Sequence, residues 1–71
     1  MNVLRFKTNI ESNSRVADVS DFIDRVNNIK NWEVNVASPD KILVVRGRDL
    51  RPSSVVGAVK KAGFTIEPIA D

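Results

Sequence analysis

Apolar residues recur at two different spacings in this chain of 71 residues. In some segments every second residue is apolar, and in others every third or fourth residue is. Leu4, Phe6 and Thr8 alternate with polar side chains, which is the pattern of a half-buried strand over residues 3–9. A polar stretch follows, in which Ser12 and Ser14 are both candidate N-cap residues of a helix that extends to about Asn28. The apolar positions of this helix recur at helical spacing and are Val16, Val19, Phe22, Ile23 and Val26.

The remainder of the chain contains two strands, a second helix and a last strand. Residues 32–36 and 41–46 have the composition of strands, and the turn Ser38-Pro39-Asp40 separates them. The second helix is predicted over residues 52–61, because Pro52 suits a first turn and Gly63 suits the position after a helix end. Gly57 lies inside this helix at a cost of about 1 kcal/mol relative to alanine, and we attribute it to close packing. Residues 64–67 form the last predicted strand.

The predicted element order, βαββαβ, determines the fold class. Right-handed crossovers give an α+β ferredoxin-like sandwich, in which both helices cover one face of a four-stranded antiparallel sheet. The chain shows no linker, repeat or low-complexity segment, so we expect a single domain over residues 1–71. No stretch approaches the ~18 consecutive apolar residues of a membrane span, and the first residues resemble a strand more than a signal peptide. We therefore expect no membrane association and a cytoplasmic location.

The sequence resembles the heavy-metal-associated domain of small copper chaperones and metal-transporting ATPases over nearly its whole length. The resemblance rests on Phe6-Lys7-Thr8-Asn9-Ile10, on Val16, Val19 and Ile23, on Val34 and Val36, and on the closing Val59-Lys60-Lys61-Ala62-Gly63-Phe64. That family places Cys-x-x-Cys in the polar stretch, where this chain has Ser12-Asn13-Ser14-Arg15. The resemblance therefore implies a copper chaperone-like scaffold that has lost its metal-ligating cysteines.

Ser12 and Arg15 stand at the two degenerate ligand positions. In the family, the helix dipole stabilises two thiolates there, which then hold Cu(I) or zinc. A serine hydroxyl is a poor ligand for a soft metal, and a guanidinium has no lone pair to offer. The chain contains no Cys or His, and Met1 supplies its only thioether. We therefore expect neither a bound metal nor any other cofactor.

Two interpretations of this polar stretch stay open. In the first, the serines cap the helix and Arg15 points into water. In the second, Ser12, Asn13, Ser14 and Arg15 form a weak site for phosphate or carboxylate, because first-turn N–H groups and a guanidinium attract anions.

Phe64 and Lys60 lie near the end of the chain, where the family has residues beside its metal loop. Phe64 either fills the core or joins a docking surface formed by residues 12–15, with Lys60 at its edge. Because the metal loop of the family is also its contact surface, our first interpretation is a non-catalytic protein-docking module related to metal transport, with a weak and transient protein partner. The alternative is a small-molecule or anion-sensing regulatory module of the same topology, in which Ile42 and Val44 support a weak homodimer in place of a monomer.

Nucleic acid is not an expected partner. The net charge is only +2, and the pI of 9.4 follows mainly from the absence of His and Cys. The solvent face of the predicted sheet carries Arg5, Lys7 and Arg46, but it lacks the aromatic rings on which RNA-binding domains of this topology stack bases. The aromatic side chains predicted to face the helices or their rim are Phe6, Phe22, Trp32 and Phe64.

Catalysis has no support in the residue types. Asp18, Asp21 and Asp24 share the solvated side of the first helix, and Ser12 and Ser14 have no neighbouring base. No glycine-rich loop could cradle a phosphate. We therefore predict that the protein is not an enzyme.

Overall fold

The computed structural model describes residues 2–69, which form six elements in the predicted order. They are β1 (Asn2–Thr8), α1 (Asn13–Ile23), β2 (Ile29–Asn35), β3 (Ile42–Gly47), α2 (Pro52–Lys61) and β4 (Ile66–Pro68). The strands form one antiparallel sheet in the order β2-β3-β1-β4. The predicted ferredoxin-like fold is therefore confirmed. In this part of the chain no helix has the length and apolar character that crossing a bilayer requires.

The hydrophobic core lies between the sheet and the two helices. Phe6 of β1 is 1% exposed, and Leu43 and Val45 of β3 are fully buried, as the two-residue repeat predicts. The helices contribute Val19, Ile23, Val55 and Val59, all fully buried. Burial of each such side chain stabilises the fold by about 1.5–3 kcal/mol, so this layer supplies most of the stability of so short a chain.

The opposite face of the sheet is open to solvent. Arg5 pairs in register with Val44, and Arg46 bonds Glu33 on the neighbouring strand, with 3.3 Å between Nη2 and Oε1. Lys7 lies 3.6 Å from a carboxylate oxygen of Asp40. The predicted basic side chains are thus on this face, while Phe6, Trp32 and Phe64 pack in or against the core on the other side.

Helix α1 ends at Ile23, and the prediction that it extends to Asn28 is wrong. The backbone N–H groups of Arg25 and Val26 donate to carbonyl oxygens only three residues earlier, at 3.3 and 3.0 Å. Asn28 then has a φ of 74°, which no helix accommodates. Val26 continued the helical spacing in the sequence, but it belongs to a tighter turn.

Strand β2 begins at Ile29, three residues earlier than predicted, because Gly47 allows a close approach of the chain. Ile29 pairs with Gly47, and a Cβ atom at residue 47 would lie 2.0 Å from the carbonyl oxygen of Asn28. That same oxygen accepts the N–H of Arg48 at 3.1 Å. A contact between distant segments therefore fixes where the helix stops and the strand starts.

Helix α2 has the predicted bounds, and Gly63 follows it with a φ of 94°, as expected for a residue after a helix end. The close packing expected at Gly57 is absent, because a Cβ atom there would have no neighbour within 4 Å in the described part of the chain. Strand β4 starts at Ile66 and not at Phe64. It includes Pro68, which an edge strand tolerates.

Candidate functional site

The loop between β1 and α1 uses its serine hydroxyls locally. Ser12 is the N-cap residue of α1, with extended backbone angles of −150° and 166°, and its Oγ accepts the N–H of Arg15 at 3.4 Å. The Oγ atom of Ser14 lies 3.3 Å from that of Ser12. Ser12 therefore satisfies one of the unpaired N–H groups that every helix start exposes.

The Arg15 side chain points along α1 and not across the loop. Its Nη1 lies 3.4 Å from Oδ2 of Asp18, and the two side chains are 63% and 59% exposed. This pair offsets part of the unfavourable interaction between a cation and the positive end of the helix. An anion site at residues 12–15 stays a prediction, since a bound anion would compete with Asp18 for the guanidinium.

Arg15 and Asp18 also line a cleft of about 610 Å³ between the start of α1 and the end of α2. We call it the loop-end cleft. Its other lining residues are Asn9, Glu11, Phe22, Ala62, Gly63 and Phe64. The structure thus brings Phe64 and Arg15 to the same cleft, whereas Lys60 and the residues 12–14 do not line it.

Two hydrogen bonds donated by backbone N–H groups hold the segments that line this cleft. Thr65 donates its N–H to Oδ1 of Asn9 at 2.9 Å, which joins the start of the loop to the segment after α2. The N–H of Phe64 donates to the carbonyl oxygen of Val59 at 3.2 Å, so the aromatic ring follows directly from the helix end. Ile10, next to Asn9 in the chain, is fully buried in the core. The cleft is therefore a preformed feature of the fold.

Phe22, Asp18 and Glu11 are cleft residues that the sequence interpretation missed. Phe22 was assigned to the apolar stripe of α1, but it is half-buried and is not packed against the core cluster. Asp18 was assigned to the solvated side of the helix. Residues 15, 18 and 22 are three and four positions apart, so their spacing alone predicts that they lie on the same side of α1.

The residues at the family's ligand positions do not fit a metal ion. Ser12 offers a neutral oxygen that already accepts a cap hydrogen bond, and Arg15 offers a cation. Nowhere in residues 2–69 do three His, Cys, Asp or Glu side chains cluster as metal ligands would. Met1, the only thioether of the chain, lies outside the described residues. No polar or charged residue from 2 to 69 is fully buried.

Comparison with known proteins yields matches to solved structures only. No protein-family model matches the sequence, and no curated protein matches it. A copper binding domain from HMA7, a P-type ATPase, has a TM-score of 0.84 at 15% identity, with 99% of this chain and 96% of that chain covered.

Two further structures give similar values. The N-terminal domain of PacS from Synechocystis PCC6803 has a TM-score of 0.82 at 17% identity, covering 99% of this chain and 100% of that chain. The copper(I)-loaded first domain of the human copper chaperone for SOD1 has a TM-score of 0.75 at 20% identity, covering 93% of this chain and 89% of that chain. This chain therefore has the fold of heavy-metal-associated domains, and it has that fold without a cysteine.

Proposed function

We propose that this chain is a non-catalytic protein-docking module related to metal transport, and that it binds no metal itself. The observation that carries the proposal is the loop-end cleft, an aromatic-lined hollow beside the loop whose ligand positions are Ser12 and Arg15. Support for the metal-transport context comes from the fold neighbours, which include a copper binding domain of a P-type ATPase and a copper chaperone domain.

The composition of the cleft suits a weak protein contact. Phe22 and Phe64 are half-buried and provide apolar surface that a partner side chain could cover. Glu11, Arg15 and Asp18 surround them with exposed charges of both signs. An apolar centre with a charged rim is the usual arrangement of protein interfaces, and complementary rim charges mainly accelerate and orient transient encounters.

The chain contributes contacts and no metal ligands. A partner that carries Cu(I) or Zn(II) would supply every ligand itself, since neither Ser12 nor Arg15 can replace a thiolate. The role that fits is recognition of a metal-loaded protein through the surface next to its metal.

The alternative, an anion-sensing or small-molecule regulatory module that forms dimers, has less support. Val3 is 42% exposed on the open face of the sheet, next to the strand that carries Ile42 and Val44. The Arg46–Glu33 ion pair lies on the same face, and a dimer there would remove its charges from water. This alternative stays a prediction.

The test is a titration of the 15N-labelled protein with a Cu(I)-loaded heavy-metal-associated domain that has an intact Cys-x-x-Cys motif, such as the first domain of the human copper chaperone for SOD1. We expect small amide shifts in fast exchange at residues 9–18 and 62–65, with a Kd of roughly 10–1,000 μM. Reversing the cleft charge with Arg15→Glu should weaken binding several-fold, whereas Asp21→Lys, on the same helix but outside the cleft, should not. Shifts that are absent, or that lie on the open face of the sheet, would contradict the proposal.

A further inference from the structure

A second hollow continues between α1 and α2 on the other side of Phe22, away from the loop. This interhelical groove has a volume of about 320 Å³. Its walls include Phe22, Arg25, Gly57, Ala58 and Lys61. The groove shares only Phe22 with the loop-end cleft. An inference about what binds in the groove therefore does not rest on the proposed function.

Gly57 is an exposed glycine in the middle of α2, where nothing in residues 2–69 requires it. A Cβ atom there would meet no atom within 4 Å, and the residue has ordinary helical backbone angles. Glycine in a helix interior is about 0.5–1 kcal/mol less stable than alanine. Among residues 2–69 no packing contact offsets this loss of stability, but the missing side chain leaves the helix backbone open to atoms from outside.

Phe22 forms the opposite wall of the groove. It is half-buried and, unlike Trp32 and Phe64, does not pack against the buried core cluster. A large aromatic side chain therefore faces an open hollow across from a glycine and Ala58. Such a hollow accepts an apolar side chain of moderate size from a partner.

Two exposed cations complete the groove, Arg25 from the turn after α1 and Lys61 from the last turn of α2. Neither forms an ion pair with any of residues 2–69, and no carboxylate lines the groove. This distinguishes it from the loop-end cleft, where Asp18 pairs with Arg15. Charge complementarity requires that an occupant bring carboxylates on both sides of its apolar side chain.

The walls of the groove also restrict the backbone of the occupant. One wall is α2 and the other is the end of α1 with the turn that follows it, so the groove offers no strand edge with which an extended peptide could form a ladder. A helix satisfies its own backbone groups and is recognised through its side chains. A second copy of this chain is disfavoured, because a two-fold contact would bring Arg25 and Lys61 of both copies together.

We propose that the interhelical groove binds an acidic amphipathic helix of a partner protein. One apolar side chain of that helix lies over Gly57 against Phe22, and flanking carboxylates bond Arg25 and Lys61.

The test is an amide NMR titration with a designed acidic amphipathic peptide of about four helical turns that has leucines on one face and glutamates on both flanks. We expect shifts at residues 22–26 and 53–61, and an affinity that falls as salt is added. Arg25→Glu combined with Lys61→Glu should weaken binding by about tenfold or more. Lys60→Glu is the control for the α2 half of this change: like Lys61→Glu it reverses one charge on α2, but it does so outside the groove, and it should change the affinity less than about twofold.

Gly57 gives a second and independent readout. Gly57→Ala should raise the denaturation midpoint of the protein and weaken its binding of the peptide. Gly57→Leu should abolish binding in a protein that is still folded. The proposal is overturned if the peptide causes no amide shifts, or if Lys60→Glu weakens peptide binding as much as the double charge reversal does. It is also overturned if an acidic peptide without leucines binds equally well. Concentration-dependent shifts of the same amides in the protein alone would also overturn it, because the occupant would then be a second copy.

Discussion

Ile10 and Ser12 are two residues apart in the chain, yet one belongs to the hydrophobic core and the other to an exposed loop. Ile10 is fully buried in the core between the sheet and the helices, whereas Ser12 is exposed in the loop that begins α1. The core holds the residues that build the fold shared with copper binding domains. The loop holds Ser12 and Arg15, the two positions that the resemblance assigns to metal ligands. The comparison indicates that this scaffold does not need a metal site in order to form.

The largest stability effect should come from the core. Phe6→Ala should lower the free energy of unfolding by about 3–5 kcal/mol, because it leaves a cavity at a side chain that is only 1% exposed. Urea denaturation followed by circular dichroism measures this loss. Val3→Ala is the matched control on the same strand, where a 42% exposed side chain should cost less than about 1 kcal/mol. Equal losses would mean that the core is not the dominant source of stability.

An intermediate effect is expected at the helix cap. Ser12→Ala should lower the free energy of unfolding by about 0.5–1 kcal/mol, at the low end of cap effects because the hydrogen bond is 3.4 Å long. Ser14→Ala removes the neighbouring hydroxyl, which caps no backbone group, and should change stability by less than about 0.5 kcal/mol. If both variants lower the free energy of unfolding by the same amount, the capping hydrogen bond of Ser12 does not stabilise the loop.

The smallest effect is expected at the surface ion pair of the loop-end cleft. Asp18→Asn should cost about 0.2–0.5 kcal/mol at low salt, because it leaves Arg15 unpaired near the positive end of α1. The loss should vanish near 1 M salt, where exposed charges are screened. Asp21→Asn, which removes an exposed charge from the same helix without breaking a described ion pair, should show little change at either salt concentration. A salt-independent loss would mean that Asp18 acts through packing.

The sequence predicted the fold because local patterns determine it. The repeats around Phe6, Val19 and Leu43 identify strands and helix independently of any distant contact, and Pro52 and Gly63 bound α2 correctly. The end of α1 was missed because the carbonyl oxygen of Asn28 and the missing side chain of Gly47 meet only in the folded chain.

The candidate site was predicted in part. Phe64 and Arg15 do share a cleft, and the resemblance was the reason to place them together. Phe22 was missed because an apolar residue at helical spacing is normally a core residue, whereas the folded chain leaves it half-buried. Gly57 was misinterpreted for the opposite reason, since the sequence suggested packing where the structure has open space.

The measurement that tests the central claim most directly is an amide NMR titration of the protein with Cu(I) and with Zn(II), alongside the double variant Ser12→Cys and Arg15→Cys. We predict that neither metal shifts the amides of residues 10–16 in the unmodified protein, while the variant binds Cu(I) or Zn(II) at least about a hundredfold more tightly through its two thiolates. That result would show that the scaffold is retained and only the ligands are lost. Saturation of the unmodified protein at micromolar metal, with shifts at those amides, would contradict the account.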